Sequence, residues 1–106
     1  MKYLVKYNYL DSYFTQPPEK IAAYSAATMA YAEQGFKSGQ LKEVYLASGM
    51  KQVVMIVDLS SPEEMTHIWL DSPAFSQTRM EEMTPLVELE IAARGWKEYF
   101  EKAMKK

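Results

Sequence analysis

The chain has no cysteine and a single histidine, His67, among 106 residues. Disulfides, thiolate metal ligands and thiol nucleophiles are therefore excluded. With one imidazole and no cluster of carboxylates at ligand spacing, no metal set is expected. His67 is also the only side chain whose ordinary pKa lies near neutrality. Positive charge is not in excess: 12 Lys and Arg stand against 14 Asp and Glu, a net charge of −2. Nucleic acid and anionic membranes select for a concentrated positive field, so neither is expected as a partner. No long apolar run is present. The opening residues MKYLVKYNYLD alternate, unlike a signal peptide or a membrane anchor, and a cytoplasmic protein is expected. What the chain has instead is a globular balance of 48% hydrophobic and 25% charged residues, with eight Met, eight Tyr and two Trp. Met fits irregular cavities and Tyr carries a polar tip on an apolar body, so both suit a pocket as well as a core.

The pattern predicts one domain over residues 1–106. Residues 2–9 alternate as a strand, with Tyr3, Val5, Tyr7 and Tyr9 on one face and Leu4, Lys6 and Asn8 on the other. Pro17-Pro18 opens a helix that runs to Lys37, rich in alanines expected to lie close to a sheet. Leu41–Ser48 and Gln52–Leu59 read as two strands around a glycine-containing turn, the second apolar on both faces. A serine cap, Pro62 and two acids start the next helix, whose buried stripe is Met65, Ile68 and Trp69; Asp71-Ser72-Pro73 stops it. Pro85–Ala92 is predicted as the fourth strand, with Glu88 and Glu90 on one face. A final helix from about Arg94 carries Trp96, Tyr99, Phe100, Ala103 and Met104 in one stripe, expected to dock on its own subunit or on a partner. The order is α+β, a ferredoxin-like split βαβ: a four-stranded antiparallel sheet, two covering helices and an extra C-terminal helix.

Two helices cover only one face of such a sheet. The other face, assigned Lys6, Asn8, Glu43, Tyr45, Glu88 and Glu90 around an apolar central strand, predicts a homodimer through sheet faces, with Lys6 paired to Glu43 or Glu88. The alternative is a monomer that exposes a few Val and Met.

Between Leu41 and Phe75 the chain resembles the muconolactone isomerase-like branch of the dimeric α+β barrel proteins. The residues that carry the resemblance are Ala47-Ser48-Gly49, Val57-Asp58, Ser61-Pro62-Glu63 and Pro73-Ala74-Phe75, with Val5-Lys6 in the first strand. The resemblance implies a dimer and a cofactor-independent proton shift in a small unsaturated ring compound. Met50 stands where those isomerases carry a histidine, so no acid or base is carried across. The run Trp69–Phe75 is also similar to haem-type monooxygenases of the same superfamily. Tyr7 and Arg79 occupy the positions of their asparagine and histidine, which disfavours that chemistry, and no cofactor is expected.

A small-molecule pocket between sheet and helices is predicted, lined by Tyr7, Tyr9, Trp69 and Phe75, with Arg79 at its mouth. Strand alternation points the tyrosines at the helices and helical spacing points Trp69 back. His67 and Glu88 are the weak catalytic candidates, one as a lone imidazole and the other as a carboxylate in an apolar interior. Two functions follow. One is an isomerase- or cyclase-like enzyme on an apolar ring compound; the other is a non-catalytic ligand-binding or stress-related module. An enzyme should set at least two titratable polar groups around the deepest cavity, whereas a binding module can have a neutral lining.

Overall fold

The structure is a computed structural model that describes residues 1–49, 51–73 and 75–105. Met50 in the hairpin and Ala74 in the helix exit, both used in the sequence reading, lie outside the described residues. The elements are β1 (Lys2–Tyr9), α1 (Asp11–Phe14), α2 (Pro18–Ser38), β2 (Leu41–Leu46), β3 (Gln52–Asp58), α3 (Pro62–Asp71), a 3₁₀ turn (Phe75–Gln77), β4 (Thr78–Pro85) and α4 (Leu89–Met104). The four strands form one sheet in the order β2-β3-β1-β4, and every neighbouring pair is antiparallel. This is the ferredoxin-like order expected from the pattern.

The alternation of β1 decides where the core sits. Tyr3 and Val5 are buried together with Val57, Leu59 and Met65, and Met55, Ile68, Trp69, Met80 and Met83 pack against them. The N-terminal ammonium closes this end of the sheet, donating to Asp58 Oδ1 at 3.0 Å and to the Leu59 carbonyl at 2.8 Å. Ser61 caps α3 from the position before Pro62, but its side chain makes no capping bond. Glu64 supplies one instead: its Oε2 accepts from the Ser60 N–H at 2.6 Å and the Ser60 hydroxyl at 2.7 Å, holding the carboxyl below its ordinary pKa.

Three expectations need correction. The fourth strand is Thr78–Pro85, not Pro85–Ala92. The alternation of Val87, Leu89 and Ile91 against Glu88 and Glu90 fits a period of two. However, Leu89, Ala92, Trp96, Tyr99 and Phe100 fit one helical face, and the helix begins at Leu89. Glu88 is thus the exposed residue preceding α4 and not part of a sheet interior. The open sheet face gains Glu81 and Glu82 instead, and Lys6 pairs with Glu82 within its own sheet at 3.7 Å. Second, the α2 alanines do not press on the sheet. Ala22, Ala23, Ala26, Ala27 and Ala30 are exposed, and no α2 residue is fully buried. Third, the stripe of α4 does not dock on its own subunit, for Trp96, Tyr99, Phe100 and Met104 are all exposed. The helix extends the molecule to 65 Å along one axis against 27 and 22 Å across.

Candidate functional site

Because α2 stands off the sheet, a cavity of about 590 Å³ opens between α2, α3 and the inner face of β1–β3. Among the contacts that hold α2 at this distance, two act as props beside the cavity. Gly35 lets the helix approach Leu41, whose Cβ lies 3.0 Å from where a Gly35 Cβ would sit. Four residues earlier, the Tyr31 hydroxyl donates to the Ile68 carbonyl on α3 at 3.0 Å. Between and beside these props the lining residues of α2 are mostly small or polar, Ser25, Thr28, Ala32, Gln34 and Ser38, with Met29 the one bulky exception. They fill less volume than the aliphatic side chains a core helix would present, so the space remains open.

Tyr7, Tyr9 and Trp69 line this cavity. The rings of Tyr7 and Trp69 meet edge to face at 5.0 Å, and those of Tyr7 and Tyr9 at 6.0 Å. Tyr9 continues into a cluster with Tyr13, 4.6 Å away, on the short helix α1, which the sequence reading missed. Burial, then the charge and hydrogen bond of the Tyr9 hydroxyl, hold the Tyr7 phenol far above its ordinary pKa. Tyr9 is raised as well, first by burial and then by Tyr13. Both hydroxyls are therefore neutral donors across the physiological range.

Other sequence candidates lie elsewhere. Phe75 touches Trp69 edge-on at 6.4 Å but stands behind it, outside the lining. Arg79 is opposite Asn8 in the β1–β4 ladder, on the sheet face turned away from the cavity. There its guanidinium bonds Glu81 at 2.8 Å. It is not at the mouth, because Thr78–Pro85 is a strand and not a loop, and register assigns each side chain a face. His67 is exposed on α3, and neither it nor Glu88 borders the cavity. Among the described residues no three His, Asp or Glu side chains converge as a metal site.

The sequence reading left out the α2 wall and the Gln40, Leu41, Val44 and Leu46 side. The spacing Ser25, Thr28, Ala32, Gly35 was a usable signal: an inward helical face poor in bulk. Among the described residues the whole lining contains no Asp, Glu, Lys, Arg or His; its polar groups are phenols, hydroxyls and amides.

No protein-family profile matches this chain, and no curated protein sequence matches it. Solved structures do. A crystal structure of muconolactone isomerase at 3.3 Å resolution is similar with a TM-score of 0.71 and 19% identity, covering 83% of this chain and 90% of that one. At that identity the likeness shows a shared fold. Among the described residues no helix is long and apolar enough to cross a membrane.

Proposed function

We propose, from a fold shared with muconolactone isomerase and a cavity without charged walls, that this chain binds a neutral, apolar ring compound, with the Tyr7 hydroxyl donating to a carbonyl or ether oxygen on it. The uncharged lining carries this reading. A carboxylate or ammonium taken into such a cavity would lose its hydration and meet no counter-charge, a penalty of several kcal/mol. A volume of about 590 Å³ falls within the range of pockets that enclose small organic ligands. Trp69, Met55, Met65 and Ile68 offer the apolar area, and Gln34, Gln40 and Ser72 the orienting polar groups.

Calorimetric titration with coumarin, naphthalene and 2-naphthoate tests this. Coumarin is expected to bind best, through its carbonyl. Naphthalene should bind several-fold weaker and 2-naphthoate at least tenfold weaker. Preference for the anion would overturn the proposal.

A second reading, a cofactor-independent isomerase or cyclase on the same class of ring compound, has one observation in its favour: the buried, persistently protonated Tyr7 beside Tyr9. Such a phenol would stabilise a developing enolate by hydrogen bonding, and with no carboxylate or imidazole in the lining the α-proton would pass to a water molecule and return from it to the new carbon. Turnover of an unsaturated lactone by the wild-type chain, lost in Tyr7→Phe, is its expected signature.

The open sheet face supports a homodimer paired through sheet faces. Leu4, Val54 and Ile56 form a half-buried apolar strip there, bordered by Tyr45, Glu43 and the Lys6–Glu82 pair. Sedimentation at micromolar concentration should give twice the subunit mass.

A further inference from the structure

The cavity wall is uncharged, but its two ends differ in hydrogen-bonding sense. At one end stand the phenols of Tyr7 and Tyr9, with Trp69 against Tyr7 at 5.0 Å. At the other is Gln40, where the chain passes from α2 into β2. The Gln40 amide is held in one orientation. Its Nε2 donates to Glu64 Oε1 at 3.3 Å, and the other Glu64 oxygen accepts twice from Ser60. An ionised carboxylate only accepts, so the amide nitrogen must face Glu64 and Gln40 Oε1 must turn away from it. The Ser38 hydroxyl stands 3.5 Å from that oxygen, but its single hydrogen has the Gly35 carbonyl nearer, at 3.1 Å. Gln40 Oε1 thus keeps its capacity to accept. One end of the cavity donates a hydrogen bond and the other accepts one.

The distance between the ends follows from the backbone. On the sheet, Tyr7 pairs with Val53, and the Asp58 N–H donates to the Gln40 carbonyl at 2.8 Å. Those levels are five residues of β3 apart, roughly 17 Å. Both side chains reach up to α3, however, Gln40 to Glu64 and Tyr7 to Trp69. Along the helix these residues are separated by roughly 7.5 Å. The space between carries only apolar side chains from α3 and the sheet, Met65, Ile68 and Val57. A single ring is too short to touch both ends, whereas a fused ring system lying along α3 spans them.

We propose, resting on the ring-compound reading above, that the ligand is a fused-ring carbonyl compound with a hydroxyl or N–H at the end remote from its carbonyl. Tyr7 donates to the carbonyl, and Gln40 Oε1, fixed by Glu64, accepts from the remote hydroxyl. Gln40 is then the residue that selects hydroxylated compounds. A ligand with acceptors at both ends leaves Gln40 Oε1 facing another lone pair, and one with no polar group at the far end leaves the amide oxygen without a donor.

Calorimetric titration of the wild-type chain and of Gln40→Met tests this with coumarin, 6-hydroxycoumarin, 6-methoxycoumarin and 8-hydroxycoumarin. The quantity read is the ratio of each Kd to that of coumarin within the same protein, so a general weakening of the variant cancels. In the wild type 6-hydroxycoumarin should bind roughly 2- to 13-fold tighter than coumarin, the worth of one neutral hydrogen bond. The methoxy compound has no hydrogen to give and the 8-hydroxyl is not at the remote end, so neither should gain. In Gln40→Met the ratio for 6-hydroxycoumarin should fall to about one. An equal gain for 6-methoxycoumarin or 8-hydroxycoumarin, or a gain that survives in Gln40→Met, would overturn the inference. Binding of coumarin with no gain for 6-hydroxycoumarin would overturn the role of Gln40 and leave the ring-compound reading standing. Failure of coumarin itself to bind would bring down that reading and this inference with it.

Discussion

Replacing Tyr7 by Phe removes one oxygen from the cavity wall and leaves the ring in place. Tyr7 is packed edge to face on Trp69, and its ring, not its hydroxyl, makes that contact. Its hydroxyl bonds to that of Tyr9, which is half-buried and can turn to water instead. The lost bond should then cost the fold only about 0.5–1 kcal/mol, a fall in Tm of roughly 2–6 °C for a chain of this size. In the proposed complex the Tyr7 hydroxyl turns its single proton from Tyr9 to the ligand oxygen and accepts from the Tyr9 hydroxyl in return. A neutral hydrogen bond contributes about 0.5–1.5 kcal/mol, so the Kd for coumarin should rise roughly 2- to 13-fold while that for naphthalene stays level. Quenching of Trp69 fluorescence gives an optical assay. The chain has two tryptophans, and a Trp69→Phe control isolates Trp96. If Tyr7→Phe binds both probes as the wild type does, or if Trp69→Phe retains the quenching, the cavity is not where these compounds bind.

Burial raises the Tyr7 phenol, so its contribution to stability is complete below the ordinary tyrosine pKa of about 10 and is lost as pH rises above it. Urea midpoints measured between pH 9 and 11 should fall, and fall less steeply in Tyr7→Phe. An equal slope in both would show that Tyr7 is not the group responsible. Met65 is 1% exposed at the contact of α3 with the sheet, and Met65→Ala should cost about 2–5 kcal/mol by chemical denaturation. Gly35→Ala and Gly95→Ala should differ in sign. The first sets a Cβ 3.0 Å from Leu41 Cβ and should destabilise by about 1–3 kcal/mol despite better helix propensity. The second meets no atom within 4 Å in α4 and should stabilise by about 0.5–1 kcal/mol.

Local chemistry made β1, β2, β3 and α3 legible, because each is bounded by its own signals. Tyr3 to Tyr9 alternate over a full strand, Gly49 sits in the turn between two β-rich runs, and Pro62 with two acids starts a helix that Pro73 follows. The same alternation correctly set Tyr7 and Tyr9 on the helix-facing side, and helical spacing set Trp69 opposite them. The last third of the chain was decided in three dimensions. Thr78–Pro85 has little strand preference of its own and is recruited by its ladder to β1. Once it fills that edge, residues 86–92 are released to begin α4. Register then turned Arg79 away from the cavity and left Glu88 at a helix start. The cavity also belongs to the tertiary structure. Ser25, Thr28 and Ala32 state that α2 is short of bulk on its inner face, but whether small residues bring a helix close or leave a gap depends on what props it. Here Gly35 against Leu41 and Tyr31 against Ile68 fix the spacing, and the second contact joins residues 37 apart that sequence order alone does not bring together.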